Sequence, residues 1–231
     1  MIRKNKVIPN GQLKLLVFDL DGTLVDSQVD LANAINYMLR HYHRPELPVD
    51  VVAGYIGDGA SMLVRRSLGD PRDENFVSQA YETFVTYYRE HVLDNTYAYP
   101  GVVDAIRAIR ETANGRLQMA VLSNKPVRPS ERILQGLGMD SFFTRIYGGN
   151  SFETKKPDPL GAITLLRETR TEPAQAVMIG DSQNDVLTAR NAGMWSVGVT
   201  YGFSPDTLKA HPPDVLIDSP QELAAVLGLS E

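Results

Sequence analysis

The sequence predicts an α/β protein: a Rossmann-like, doubly wound and mostly parallel sheet, with an all-helical domain inserted near its start. Three observations carry this. Short apolar runs rich in Val, Leu and Ile recur along the 231 residues, amphipathic helical patterns lie between them, and residues 28–96 break the alternation with helical patterns alone. Short apolar strands alternating with helices imply right-handed βαβ crossovers, which bury a parallel sheet on both faces.

The strand candidates are KLLVF (14–18), LQMAVL (117–122), RIYGG (145–149), AVMIG (176–180), WSVGV (195–199) and DVLI (214–217). They are short and largely apolar, as expected of strands covered on both sides; Trp195 is placed in the core. Between them, VVDAIRAIRET (102–112), PSERILQGLG (129–138), PLGAITLLRE (159–168) and NDVLTARNAG (184–193) carry amphipathic patterns that can pack one face on the sheet. The inserted stretch holds VDLANAINYMLRHYHR (29–44), ASMLVRRSLG (60–69) and ENFVSQAYETFVTYYREHV (74–92). Asp26 or Ser27 is placed to cap the first of these helices. Tyr99-Pro100-Gly101 then marks a turn into the next α/β unit. The chain divides into a core of residues 1–27 and 97–231 and a cap of residues 28–96. The two connecting segments should be neighbours in space and could act as a hinge.

Composition narrows the classes. The formal net charge of −5 gives no basic field for nucleic acid. No apolar run approaches the ~18–20 residues needed to span a bilayer, and the basic N-terminus lacks the apolar core of a signal peptide. There is no cysteine, hence no disulfide, thiolate metal site or thiol nucleophile. A cytoplasmic protein with no nucleic-acid or membrane partner is expected, as monomer or homodimer.

In open α/β sheets ligands sit outside the carboxyl ends of the strands, and four polar clusters fall there. Asp19-Leu20-Asp21-Gly22-Thr23 follows KLLVF, Ser123-Asn124-Lys125 follows LQMAVL, and Lys155-Lys156-Pro157-Asp158-Pro159 follows RIYGG after a short loop. Gly180-Asp181-Ser182-Gln183-Asn184-Asp185 follows AVMIG. Converging carboxylates repel unless a cation joins them, and an all-oxygen set suits Mg2+. A carboxylate can also attack phosphorus, with Ser123 and Lys156 to hold the phosphoryl oxygens. An EF-hand frame started at Asp19 puts Leu24 at the required Gly and Asp30 at the required Glu, so that loop is excluded. Singly, Asp181 reads as a helix N-cap, Asp185 as a solvated acid and Ser123 as a turn cap; together they read as a site. Of Lys155 and Lys156, the Lys-Pro-x-Pro pattern selects Lys156. Lys125 and Arg128 are read as surface positions, with phosphate contact as the alternative. Arg65 and Arg66 are read as a solvated helix face, with a substrate anion as the alternative. His41, His43, His91 and His211 lie outside every cluster.

These four ordered motifs resemble the haloacid dehalogenase superfamily of aspartate-nucleophile phosphotransferases: DLDGTLVDS its first motif, Ser123 its second, Lys156 in KKPDP its third and GDSQND its fourth. The resemblance implies a Mg2+-dependent phosphomonoester hydrolase with Asp19 as nucleophile and Asp21 as leaving-group acid and then water-activating base. It implies Mg2+ on Asp19, the Asp21 carbonyl and Asp181, with Asp185 ordering the metal shell, and the phosphoryl group on Ser123 and Lys156. Gly22, Thr23 and Asn124 are the further candidates for substrate contact in the core. Residues 28–96 resemble the cap that closes over such sites.

Departures from sister patterns narrow the chemistry. Asp21 argues against carbon–halogen cleavage, since dehalogenases lack an acid there. The cap contains no lysine, which excludes the Schiff-base phosphonate hydrolases, and Met62 stands where sugar phosphomutases carry arginine. GYIGDGASMLVRRSLG (54–69) looks like the specificity loop of phosphoglycolate phosphatases, so Gly57, Asp58 and Gly59 are expected at the non-phosphate end of a small phosphorylated metabolite, with Gly57 and Gly59 allowing close main-chain approach. Other sugar, nucleotide or pyrophosphate substrates, and a phosphate-sensing protein without turnover, are the alternatives.

Overall fold

The computed structural model describes residues 2–9 and 11–229. Seven strands form the main sheet: β1 (Arg3–Lys4), β2 (Leu15–Phe18), β5 (Gln118–Leu122), β6 (Arg145–Tyr147), β7 (Ala176–Gly180), β8 (Trp195–Val199) and β9 (Val215–Ile217). Two more, β3 (Val25–Asp26) and β4 (Tyr97–Ala98), form a separate ribbon. The sheet order is β1-β9-β8-β7-β2-β5-β6, parallel throughout except for β1, which runs antiparallel at the edge.

The helices are α1 (Gln28–His41), α2 (Val49–Ala53), α3 (Ala60–Ser67), α4 (Glu74–Glu90), α5 (Val102–Ala113), α6 (Val127–Gly136), α7 (Leu160–Glu168), α8 (Gln183–Ala192), α9 (Thr207–Ala210) and α10 (Leu223–Val226). β2 is central because both its faces are apolar. Leu16 and Phe18 join a core with Ile106, Ile109 and Ile133, while Leu15 and Val17 join another with Ala162, Leu165 and Ala189. All four strand residues are at most 1% exposed. Each contributes about 1.5–3 kcal/mol by burial, enough together to anchor the charged residues that follow. Trp195, expected in the core, is half-buried and donates Nε1 to the Ala174 carbonyl at 3.0 Å.

The helical insertion rests on the two-stranded ribbon. Val25 pairs with Ala98 and Asp26 with Tyr97, so the chain leaves and returns side by side. Buried Asp30, at the start of α1, locks the two connections together: its carboxylate accepts from the amides of Asn95 (2.9 Å) and Thr96 (2.8 Å) and from both side chains. Within the insertion α1 packs on α4 and α2, and α3 on α4. The first helix ends at His41, before the predicted residue 44, because His43 takes a left-handed φ of 53° and Pro45 and Pro48 follow.

Candidate active site

Register brings the site together. Phe18 of β2 lies opposite Val121 of β5 and Ile179 of β7, so Asp19, Ser123 and Asp181 emerge side by side just beyond these strands. The Asp19 amide still bonds the Ile179 carbonyl (2.9 Å) and the Ser123 amide the Tyr147 carbonyl (3.0 Å), fixing both at the sheet edge.

Asp19 Oδ1 takes the Leu20 amide at 2.7 Å and faces the Lys156 ammonium at 2.9 Å, and the Ser123 hydroxyl stands beside the same carboxylate. Lys156 Nζ also donates to Asp185 Oδ1 at 2.6 Å. Asp185 reaches back from the first turn of α8 to accept from the Ser182 amide (3.1 Å) and hydroxyl (2.8 Å), the reciprocal half of a capping box. Ser182, and not Asp181, is the N-cap. Asp181 Oδ2 is held by the amides of Phe203 (2.7 Å) and Ser204 (3.0 Å).

Asp19, Asp181 and Asp185 each offer an oxygen within 4.8 Å of the others, and all three are buried. Burial raises the Asp19 carboxyl to about 6 against the lowering effect of Lys156, with Asp185 raising it further. Burial, then Asp185 and Asp19, raise Asp181 to about 8. On Lys156, burial favours the neutral amine but Asp185 and Asp19 outweigh it and push its pKa up. Three carboxylates against one ammonium leave the buried cluster two charges short of balance when ionised. A divalent metal ion fits that donor set and that deficit. Tight packing also fits: a Cβ on Gly22 would stand 2.4 Å from Asp181 Oδ2.

Asp21 is held by a separate set of partners. Ser27 donates to its Oδ1 at 2.6 Å, and Lys125 Nζ lies 3.1 Å from both of its oxygens. Lys125, read as a surface residue from the sequence, is buried: its ammonium also donates to the Tyr88 hydroxyl of α4 at 2.7 Å and sits 4.8 Å from that ring's centre. Burial disfavours its charge, but Asp21 outweighs burial and raises its pKa. Burial likewise pushes the Tyr88 phenol up to about 12. Lysine's usual exposure hid this residue in the sequence, as did the 104- and 37-residue separations from its partners.

The turn at residues 57–59 of the helical insertion reaches the strand ends. Asn124 Nδ2 donates to the Gly57 carbonyl (2.9 Å) and the Lys156 carbonyl (3.0 Å), and its Oδ1 accepts from the Lys156 amide (2.9 Å). Asn184 donates to Asp58 Oδ1 at 2.9 Å, and Arg66 pairs with Asp58 Oδ2. Arg65 is taken by Glu74 and Asp70, so neither arginine is a free anion contact. Gly59 does allow close approach, since a Cβ there would stand 3.0 Å from both the Asn124 carbonyl and Lys155 Nζ. Gly57 differs: a Cβ would meet nothing within 4 Å, and glycine is needed there for its φ of 123°.

A cavity of about 40 Å3 lies between the helical insertion and the strand ends of the sheet. Asp19, Asp21, Ser123, Asn124, Lys125 and Asp181 line its floor, and Leu31, Ile56, Gly57, Gly59, Ala60 and Leu63 its roof. Asp58 is outside it, engaged with Asn184 and Arg66. Gly22 and Thr23 are also outside, with their amides closing the turn onto Val25 O (2.9 Å) and Leu20 O (3.2 Å). Lys155 and Arg128 are exposed.

Residues 16–199 match the family model described as haloacid dehalogenase-like hydrolase. The chain is 38% identical over 216 residues to the phosphoglycolate phosphatase of Chromobacterium violaceum, covering 91% of this chain and 95% of that protein. It is 36% identical over 215 residues to that of Psychrobacter arcticus, covering 89% and 92%. The solved structure of a predicted phosphoglycolate phosphatase from Haemophilus somnus superposes with a TM-score of 0.86 at 32% identity, covering 93% of this chain and 98% of that one.

Proposed function

The chain belongs to the haloacid dehalogenase-like hydrolase family, and on that premise we propose that it is a Mg2+-dependent phosphatase whose substrate is 2-phosphoglycolate. The observation that carries the reading is the convergence of Asp19, Asp21, Ser123 and Asp181 on one small cavity beneath the cap, with Lys156 against Asp19. Residues 28–96 act as the cap and the β3–β4 ribbon as its hinge.

Asp19 Oδ1 is committed to Leu20 and Lys156, which leaves Oδ2 as the nucleophile. Oδ2 forms a bond to phosphorus as the bond to the glycolate oxygen breaks, and Asp21 passes a proton to that oxygen as general acid. Asp21, now a carboxylate, takes a proton from water. The hydroxide attacks phosphorus, the bond to Asp19 breaks, and inorganic phosphate is freed. Ser123 and Lys156 hold the phosphoryl oxygens, and Lys156 keeps Asp19 ionised beside them. Asp19, Asp181, Asp185 and the Asp21 main-chain carbonyl would hold Mg2+, which supplies charge stabilisation for the phosphoryl group. Lys125 and Ser27 keep Asp21 in place.

One feature favours a small acid as substrate. The N-terminus of α3 opens at Gly59 with no side-chain cap, and Gly59 and Ala60 line the cavity, so its free amides suit a carboxylate. In a panel of phosphorylated metabolites with Mg2+, 2-phosphoglycolate should show the highest kcat/KM. A higher value for a hexose phosphate or nucleoside monophosphate would reject that substrate while leaving the phosphatase assignment standing.

Gly59→Val tests the roof. Its side chain would press on the Asn124 carbonyl at a φ of 90°, holding the turn off the core. Phosphoglycolate, which needs the seated turn, should lose roughly 10²-fold in kcat/KM, about 2.7 kcal/mol. p-Nitrophenyl phosphate, which makes no use of the turn, should lose much less. Equal losses for both would mean damage to folding or hinge motion instead of to specificity.

A further inference from the structure

A second cavity, of about 330 Å3, lies between α4 of the cap and α6 of the core, and the proposed reaction makes no use of it. Its volume is in the range of small-molecule sites. The wall is apolar and aromatic, with Tyr81, Phe84 and Val85 on one side and Pro126 and Pro129 on the other. Three arginines line it as well: Arg89 from α4, and Arg128 and Arg132 from α6. No aspartate or glutamate does.

The chain carries a net charge of −5, yet three arginines and no acid line this cavity. Elsewhere Arg44, Arg110 and Arg116 donate to main-chain carbonyls, while Arg3, Arg40, Arg65, Arg66, Arg107 and Arg145 each meet a carboxylate. Among the described residues none of the three cavity arginines does, and Arg132 instead donates to the Arg89 carbonyl. All three are exposed and gathered beside one apolar cavity, so they offer an entering anion several donors at once. Guanidinium groups bind carboxylate, phosphate and sulfonate through paired hydrogen bonds.

We propose that this cavity binds a small organic anion with an aromatic or apolar body, its charged group on Arg89, Arg128 and Arg132 and its body against Phe84, Val85 and Pro129. The walls come from both cap and core, so the site is whole only while the cap is seated. A ligand shifts an equilibrium by its preference between the two states, and this one favours the closed state. It also borders the reaction. Ala60 and Pro126 line both cavities, and Tyr88 lines the second while its hydroxyl holds Lys125 against Asp21.

The probe is 8-anilinonaphthalene-1-sulfonate, an aromatic anion whose fluorescence reports its surroundings, titrated into the full chain with Mg2+. Saturable binding of one equivalent is expected. It should persist with saturating inorganic phosphate, which occupies the phosphatase site. R128Q/R132Q should weaken binding tenfold or more while keeping wild-type kcat, since both residues are exposed and outside the reacting groups; retained kcat also shows that the variant folds. R89Q, from the cap side, should weaken it independently. Undiminished binding in these variants, displacement by phosphate, or no binding to the wild type would each overturn the proposal. Because fluorescence reads binding and not turnover, failure of the phosphoglycolate assignment would leave this result intact.

Discussion

Replacing Asp19 with asparagine should abolish turnover while leaving the protein folded. The amide is nearly isosteric, and its oxygen can still accept from the Leu20 amide and face Lys156, as Asp19 Oδ1 does. Lys156 keeps a buried counter-charge in Asp185, so no unpaired ammonium results. Leaving one would cost about 3–5 kcal/mol. Asp19 also carries its charge at a disadvantage, its pKa being raised by burial to about 6, so neutralising it should not lower the melting temperature. What the amide lacks is the anionic oxygen that bonds to phosphorus. The loss in kcat should be ~10⁴-fold or more, in the range seen when covalent-catalysis residues are removed. Steady-state kinetics and a melting curve on the same preparation check it. More than a tenth of wild-type kcat with an intact melt would remove Asp19 from its role.

Much of this was legible in the sequence because the central strands are largely apolar. AVMIG (176–180) and WSVGV (195–199) form strands over the predicted residues, and the clusters after the strands converge because parallel pairing in register aligns strand ends. The runs that differ do so for local reasons. RIYGG yields only Arg145–Tyr147, since Gly149 turns its amide onto the Lys125 carbonyl behind the site. β1, β3 and β4 are two residues long, too short to show a period, and their pairing partners lie far along the chain. The partners of Lys125, Tyr88 and Asn184 were hidden for a different reason. Each makes its decisive contact across the cap–core boundary or between strand ends, which spacing along one element cannot reveal. The cap turn was legible as glycine-rich, but its two glycines answer to different needs: Gly59 to a neighbouring carbonyl, Gly57 to its own backbone angle.

Removal of metal should silence the enzyme, and the metal's grip should strengthen as pH rises. EDTA is expected to reduce phosphate release to background, with Mg2+ or Mn2+ restoring it. Ca2+ should inhibit, because its larger and looser shell disturbs in-line transfer. The pH dependence follows from the carboxylates. Asp19 and Asp181 have folded pKa values raised to about 6 and about 8 from 3.8. The folded, metal-free protein therefore holds protons that the unfolded chain has released. Its stability should fall as pH climbs from about 4 to about 8. A divalent cation must displace those protons, so its affinity should rise about tenfold per pH unit for each proton displaced between pH 6 and 8. Calorimetric titration of Mg2+ at pH 6, 7 and 8 reads the slope, and saturating Mg2+ should raise the melting temperature more at pH 8 than at pH 6. Equal affinity at pH 6 and 8 would show that Asp181 is not a ligand that must deprotonate. Full activity in EDTA would dissolve the case for a metal altogether, and with it the explanation of why three buried carboxylates tolerate one another around a single lysine.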